Sequence, residues 1–90
     1  MNVEGLIKDL HQKTAILSSS RHMKEIPVFK DLVKEGGKAV PALVEDLKRQ
    51  PSFVTMLVLE EIAGKSPVPR QDRGNIEKMA AAWIEWDEER

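Results

Sequence analysis

Phe53-Val54-Thr55-Met56-Leu57-Val58-Leu59-Glu60-Glu61-Ile62 is the stretch that decides the fold, because its first seven residues leave almost no polar face however the backbone is wound. A run of that length fits a buried strand. Glu60, Glu61, Ile62 and Ala63 carry it past ordinary strand length, however, and Gly64 stands where a helix commonly ends on a left-handed residue. At about 100° per residue, Phe53, Val54, Leu57 and Val58 cover one side while Met56, Leu59 and Ile62 reach round to the other. The expectation is a helix over residues 52–63, capped by Ser52 and enclosed by its neighbours.

Working outward, the flanking segments read as the walls. Val40, Leu43, Val44 and Leu47 keep the i, i+3, i+4, i+7 spacing of a one-sided helix, with Pro41 tolerated in its first turn and Glu45 facing Arg49 on the water side. Pro51-Ser52 is too short a connection for anything but a hairpin with the enclosed helix. Further upstream, Pro27 opens a helix whose apolar face is Phe29, Leu32 and Val33, and Gly36-Gly37 stops it. Val3, Leu6, Ile7, Leu10 and Leu17 form a stripe on a first helix running to about residue 17, with Glu4–Lys8 and Asp9–Lys13 pairs on its exposed side. Ser18-Ser19-Ser20 interrupts it, Ser19 or Ser20 being the candidate cap of a short turn through His22-Met23-Lys24. Downstream, residues 65–74 form the one long loop, stiffened by Pro67 and Pro69. Asn75 then caps a last helix whose face is Ile76, Met79, Ala80, Trp83 and Ile84, and acidic Asp87-Glu88-Glu89 predicts fraying at its end. No β pattern occurs. The fold class expected is all-α: a single domain over residues 1–90 with about five antiparallel helices stacked as hairpins around helix 52–63.

Composition narrows the functional classes. A chain of 90 residues buries only about 60–65% of the surface its unfolded form exposes, so the core must be well filled. The absence of cysteine removes disulfides, thiolate nucleophiles and Cys-ligated zinc, and accords with a reducing compartment. No apolar run approaches a membrane span of about 18 residues, and Glu4 and Asp9 fall where a signal peptide is basic and then apolar. A cytoplasmic, soluble protein with no membrane partner is expected. Fourteen Lys and Arg against fifteen Asp and Glu give a net charge of −1, so no global field favours nucleic acid.

The repeat character comes from particular residues. Gly37-x-Ala39-Val40-Pro41-x-Leu43-Val44-x-x-Leu47 resembles the opening of a HEAT repeat, with helix 52–63 as the repeat's second helix; Ser52-Phe53-Val54 stands where that family carries an acidic and arginine signature. The chain also resembles a set of short bacterial and phage-associated proteins with the pattern G-x-x-A-V-P-x-L, then I-x-G-x-x-P-V-P, then A-W-x-x-W. Ile62, Gly64, Pro67, Val68, Pro69, Met79, Ala82, Trp83 and Trp86 carry that likeness over roughly the last two thirds of the sequence. These resemblances imply a HEAT-like stack and carry no assigned activity; taken with the small size, they give the expectation of a bacterial or phage accessory protein such as an antitoxin, immunity or anti-defence factor.

Chemistry-bearing constellations are sparse. Gly64-Lys65-Ser66 lacks both the preceding strand and the upstream glycine of a phosphate-binding loop, Leu59 occupying that position. His11 and His22 have only Asp9 and Glu25 near them in sequence, short of the three or four ligands of a zinc site, and read as solvated imidazoles. Ser18, Ser19 and Ser20 lack the glycine-flanked turn of a nucleophile, and Glu60 and Glu61 diverge by about 100° on a helix. The expectation is therefore a non-enzyme with no cofactor and no metal. Its partner-binding residues are expected to be Lys65, Arg70 and Arg73, on a loop holding one acid, Asp72, together with Trp86, tryptophan being enriched at binding hot spots. The partner class expected is a protein, bound by an adaptor or inhibitor that is itself monomer or homodimer. The alternative is a nucleic-acid-binding face built from Lys30, Lys34, Lys38, Lys48, Arg49, Arg70 and Arg73.

Overall fold

A computed structural model describes residues 2–16 and 19–90, Ser20 through its backbone alone. The expected place of Leu17 on the first helix, the break at Ser18 and any capping by the Ser20 side chain lie outside the described residues. The elements are α1 (Val3–Thr14), α2 (Ser20–Glu25), α3 (Pro27–Glu35), a 3₁₀ turn (Gly36–Lys38), α4 (Val40–Arg49), α5 (Phe53–Ala63), a second 3₁₀ turn (Arg70–Asp72) and α6 (Ile76–Glu89). The class is all-α, with no strand among the described residues. The short turn expected through His22-Met23-Lys24 is a full helix in its own right, α2, and it adds Met23 to the core.

Local chemistry sets the boundaries. Asn2 caps α1, its Oδ1 accepting from the Glu4 N–H at 2.9 Å, and Asn75 caps α6 by accepting from the Lys78 N–H at 3.1 Å. Pro27 and Pro41 occupy the first turns of α3 and α4, where no intrahelical N–H is lost. Ser52 holds the N-cap position of α5 with extended backbone but makes no side-chain capping bond. Two helices stop on glycines with positive φ: α3 at Gly36, φ 58°, and α5 at Gly64, φ 77°, the latter a left-handed cap whose N–H reaches back to the Glu60 carbonyl at 2.8 Å. Gly37 is not left-handed; it continues into the 3₁₀ turn.

The enclosed helix is α5, which packs against α1, α2, α3, α4 and α6. Val54, Thr55, Met56, Leu57, Val58 and Leu59 are all buried, a continuous run that no one-sided helix produces. Around it lie Leu6, Ile7 and Leu10 of α1, Val28, Phe29 and Leu32 of α3, Leu43, Val44 and Leu47 of α4, and Ala80 and Trp83 of α6. Trp83 is the largest fully buried side chain. Enclosure is incomplete at one end, since Phe53 is 44% exposed and Ile76, expected on the core face of α6, is 40% exposed.

Two surface details differ from the sequence reading. Asp9 and Lys13 pair at 3.1 Å as expected, but Glu45 meets Lys48 at 3.3 Å, one residue before the expected Arg49. Helix α6 continues through the acidic run to Glu89, and Arg90 stands against it. Its guanidinium lies 3.1 Å from Asp87 Oδ1 and stacks 5.2 Å above the Trp86 ring.

Leu59 is wholly buried, whereas Leu57 keeps 8% exposure because it also lines a surface groove. Leu59→Ala should therefore cost about 3–5 kcal/mol and Leu57→Ala about 2–3 kcal/mol, a cavity open to water being cheaper than a closed one. Arg70→Ala, at an exposed loop position, should stay within about 0.5 kcal/mol. Denaturant unfolding of the three variants checks the order.

Candidate functional site

Inside the apolar run of α5 stands one hydroxyl, and its fate organises the main buried polar feature. Thr55 is fully buried and its Oγ1 donates to Asp46 Oδ2 of α4 at 2.9 Å. The same oxygen lies 2.7 Å from His11 Nε2 of α1, the ring N–H donating. One carboxylate on α4 thus ties α1 and α5 to each other, and no buried side-chain nitrogen or oxygen among the described residues is left without a partner. His11 is half-buried in this network rather than solvated as the sequence reading had it; a carboxylate 35 positions away in sequence supplied the partner. The detectable signal was Thr55 itself, a hydroxyl in an otherwise apolar enclosed helix that must find an acceptor.

The chemical order of this triad is His–Asp–Thr. In a nucleophilic triad the imidazole sits between carboxylate and hydroxyl, so that the base touches the proton it removes. Here the carboxylate sits in the middle and the hydroxyl has no access to solvent, an arrangement suited to fixing three helices. A cleft of about 460 Å³ opens beside it, where Glu4, Lys8, His11 and Arg49 mix both signs of charge. Among the described residues no three histidine, aspartate or glutamate side chains converge as a metal site would need.

The loop between α5 and α6 is a built structure. Val68 is buried in the core between Pro67 and Pro69, and its N–H is accepted by Ser66 Oγ at 3.2 Å. Asp72 N–H bonds the Pro69 carbonyl at 3.0 Å, and Asn75 N–H bonds the Asp72 carbonyl at 3.0 Å, which leads the chain directly into the α6 cap. Lys65, Arg70 and Arg73 are all exposed, and none pairs with a carboxylate among the described residues.

Two grooves flank this loop. The first, of about 500 Å³, has Phe53 and Leu57 of α5, Val68 of the loop, and Ile76 and Met79 of α6 on its apolar lining, with Glu60 and Arg73 among its polar residues. The second, of about 390 Å³, is lined by Pro67, Pro69, Asp72, Lys78, Glu85 and Trp86, with Ala81, Ala82 and Glu89. Of the four residues expected to bind a partner, Arg73 therefore belongs to the first groove and Trp86 to the second, while Lys65 and Arg70 line neither. Trp86 is no free anchor. Its ring meets Trp83 edge-on with centroids 5.2 Å apart and packs against the core, with Arg90 over its face. Phe53, Ile76 and Met79 are the groove residues that sequence reasoning assigned wholly to the core.

No protein-family model, characterised protein or solved structure matches the chain.

Removing either end of the Asp46 network should separate burial from charge. Thr55→Val, nearly isosteric, takes one of the two donors from Asp46 and should cost about 1–3 kcal/mol. A double-mutant cycle of His11→Ala with Asp46→Ala should return a coupling of about 0.5–1.5 kcal/mol, measured by chemical denaturation. Zero coupling would show that the contact contributes nothing to stability.

Proposed function

We propose that this chain is a small, non-catalytic protein-binding module, an adaptor or inhibitor, that meets its partner at the end of the fold formed by the 65–74 loop and the starts of α5 and α6. The observation that carries this reading is the coincidence of two features. Three loop cations lie in solvent without a carboxylate partner among the described residues, and one of them, Arg73, lines the apolar groove in which Phe53 and Ile76 stand open. Exposed aromatic and aliphatic groups rimmed by charge have the composition of an interface centre and its border.

The helical-stack reading is supported by contacts between helices two apart in sequence, α1 on α3, α3 on α5 and α4 on α6. Stacked hairpins generate such alternation, each hairpin burying the face its neighbour leaves open. The likeness to short bacterial and phage-associated proteins adds the accessory role, of antitoxin, immunity or anti-defence type, and a cysteine-free chain suits the cytoplasm. A protein partner is favoured over nucleic acid because the basic residues are interrupted by acids. Lys48 is paired with Glu45, and the cleft holding Lys38 and Arg49 also holds Glu4 and Glu45.

Affinity capture tests the proposal. The tagged full chain and a Lys65→Glu/Arg70→Glu/Arg73→Glu variant with the same melting midpoint are compared in lysate of the native host. The expected outcome is one protein retained by the natural sequence and lost by the variant. Identical retention by both, or recovery of nucleic acid that disappears steeply with salt, would overturn the reading.

A further inference from the structure

We infer that the groove between α5 and α6 is the interface of a homodimer. In a two-fold pair, Phe53 of each copy enters the groove of the other, and Arg73 of each copy meets Glu60 of the other. This rests on the reading of that end of the fold as a protein interface and names what fills its groove. Lys65 and Arg70, exposed and outside the lining, stay open to a further protein.

Apolar exposure is concentrated where α5 begins. The large hydrophobic side chains left exposed among the described residues are Ile16, Phe53 and Ile76, the first at 93%. Phe53 stands between two hollows. On one side is the groove of about 500 Å³ walled by Leu57, Val68, Ile76 and Met79. On the other is a cleft of about 320 Å³ whose lining includes Met23, Val54 and Ala15, the last next in sequence to Ile16. An exposed aromatic ring beside a hollow gives one surface both halves of a knob-into-hole contact, and a two-fold axis brings both halves into use at once. A stable interface takes about 800 Å² from each partner, roughly one seventh of the 5782 Å² surface of this chain. The contact therefore extends beyond the groove, across Phe53 toward the Ile16 side.

Charge in the groove is balanced and unpaired. Arg73 of the loop and Glu60 of α5 are its charged lining residues, and neither has an ion-pair partner among the described residues. A two-fold interface sets residue i against j and j against i, so that both Arg73–Glu60 pairs form in one contact. A strongly acidic partner would set like charge against Glu60, and a strongly basic one against Arg73. A second copy meets both charges with their opposites.

Sedimentation equilibrium of the full chain, from micromolar to millimolar concentration, tests the inference. A species of twice the single-chain mass is expected. Ile76→Glu, Glu60→Arg and Arg73→Glu, all at exposed positions, should each weaken the dimer by at least about tenfold, because each places an unmatched or like charge in the contact. Far-ultraviolet melting curves establish that each variant is folded. The decisive sample is a mixture. Glu60→Arg and Arg73→Glu chains, each poor at self-association, present opposite charges to one another at both pair positions, so an equimolar mixture should recover the natural affinity. Rescue within one chain cannot produce that result. A monomer at every concentration would overturn the inference and leave the groove to a different protein. So would a dimer that all three variants leave unchanged, or a mixture no more associated than its components. A monomer that still captures a protein lost with Lys65→Glu/Arg70→Glu would leave the protein-binding reading standing; a dimer that meets these tests but captures nothing would keep the dimer and remove the adaptor.

Discussion

A helix that is apolar around its whole circumference is stable in water only when other helices surround it, and α5 imposes that requirement on everything else in the chain. Six consecutive residues, Val54 to Leu59, are buried, so neither side of the helix can be offered to solvent. All five remaining helices touch α5, and they close the core further by packing on one another, α1 on α3 and α4 on α6. This is economical for a short chain. With so few residues, two independent cores would each be too small to offset the entropy of ordering them.

The same enclosure makes a polar atom within α5 expensive, and Thr55 is that atom. Its hydroxyl reaches Asp46, whose carboxylate in turn reaches His11, so the cost of one buried polar group is met by linking three helices through one oxygen. Apolar packing is tolerant of small rotations, since one methyl contact can replace another. A directed bond to a single oxygen is not, and the Asp46 junction therefore fixes how α1 and α4 sit against α5 in rotation as well as in distance.

Much of the helical layout was legible from spacing and punctuation. Pro27, Pro41, Gly36, Gly64 and Asn75 mark boundaries that follow from the conformations those residues permit or forbid, and they stand where expected. The stripe Val40, Leu43, Val44 and Leu47 is buried throughout. What periodicity could not convey was where the enclosure ends. Phe53 and Ile76 carry the same pattern as their buried neighbours, and only the meeting of two helix starts at one end of the fold leaves both uncovered. The Asp46–His11 contact was hidden for a related reason, since it joins positions 35 apart and neither residue type predicts its partner. The loop cations were legible as a basic segment; that Arg73 stands beside the apolar groove while Trp86 is tied to Trp83 and Arg90 required the path of the loop.

The Trp83–Trp86 pair has a spectroscopic corollary. These are the two tryptophans of the chain, tyrosine is absent, and both indoles sit on α6, one sealed in the interior and the other under a guanidinium. Intrinsic emission consequently observes a single helix. An optical transition recorded at those wavelengths follows the detachment of α6, and α1 to α3, on the far side of α5 in sequence, are silent unless their loss drags α6 with it. Comparing that signal with far-ultraviolet dichroism, which weighs every helix, turns an accident of composition into a built-in gauge of whether the molecule comes apart in one step.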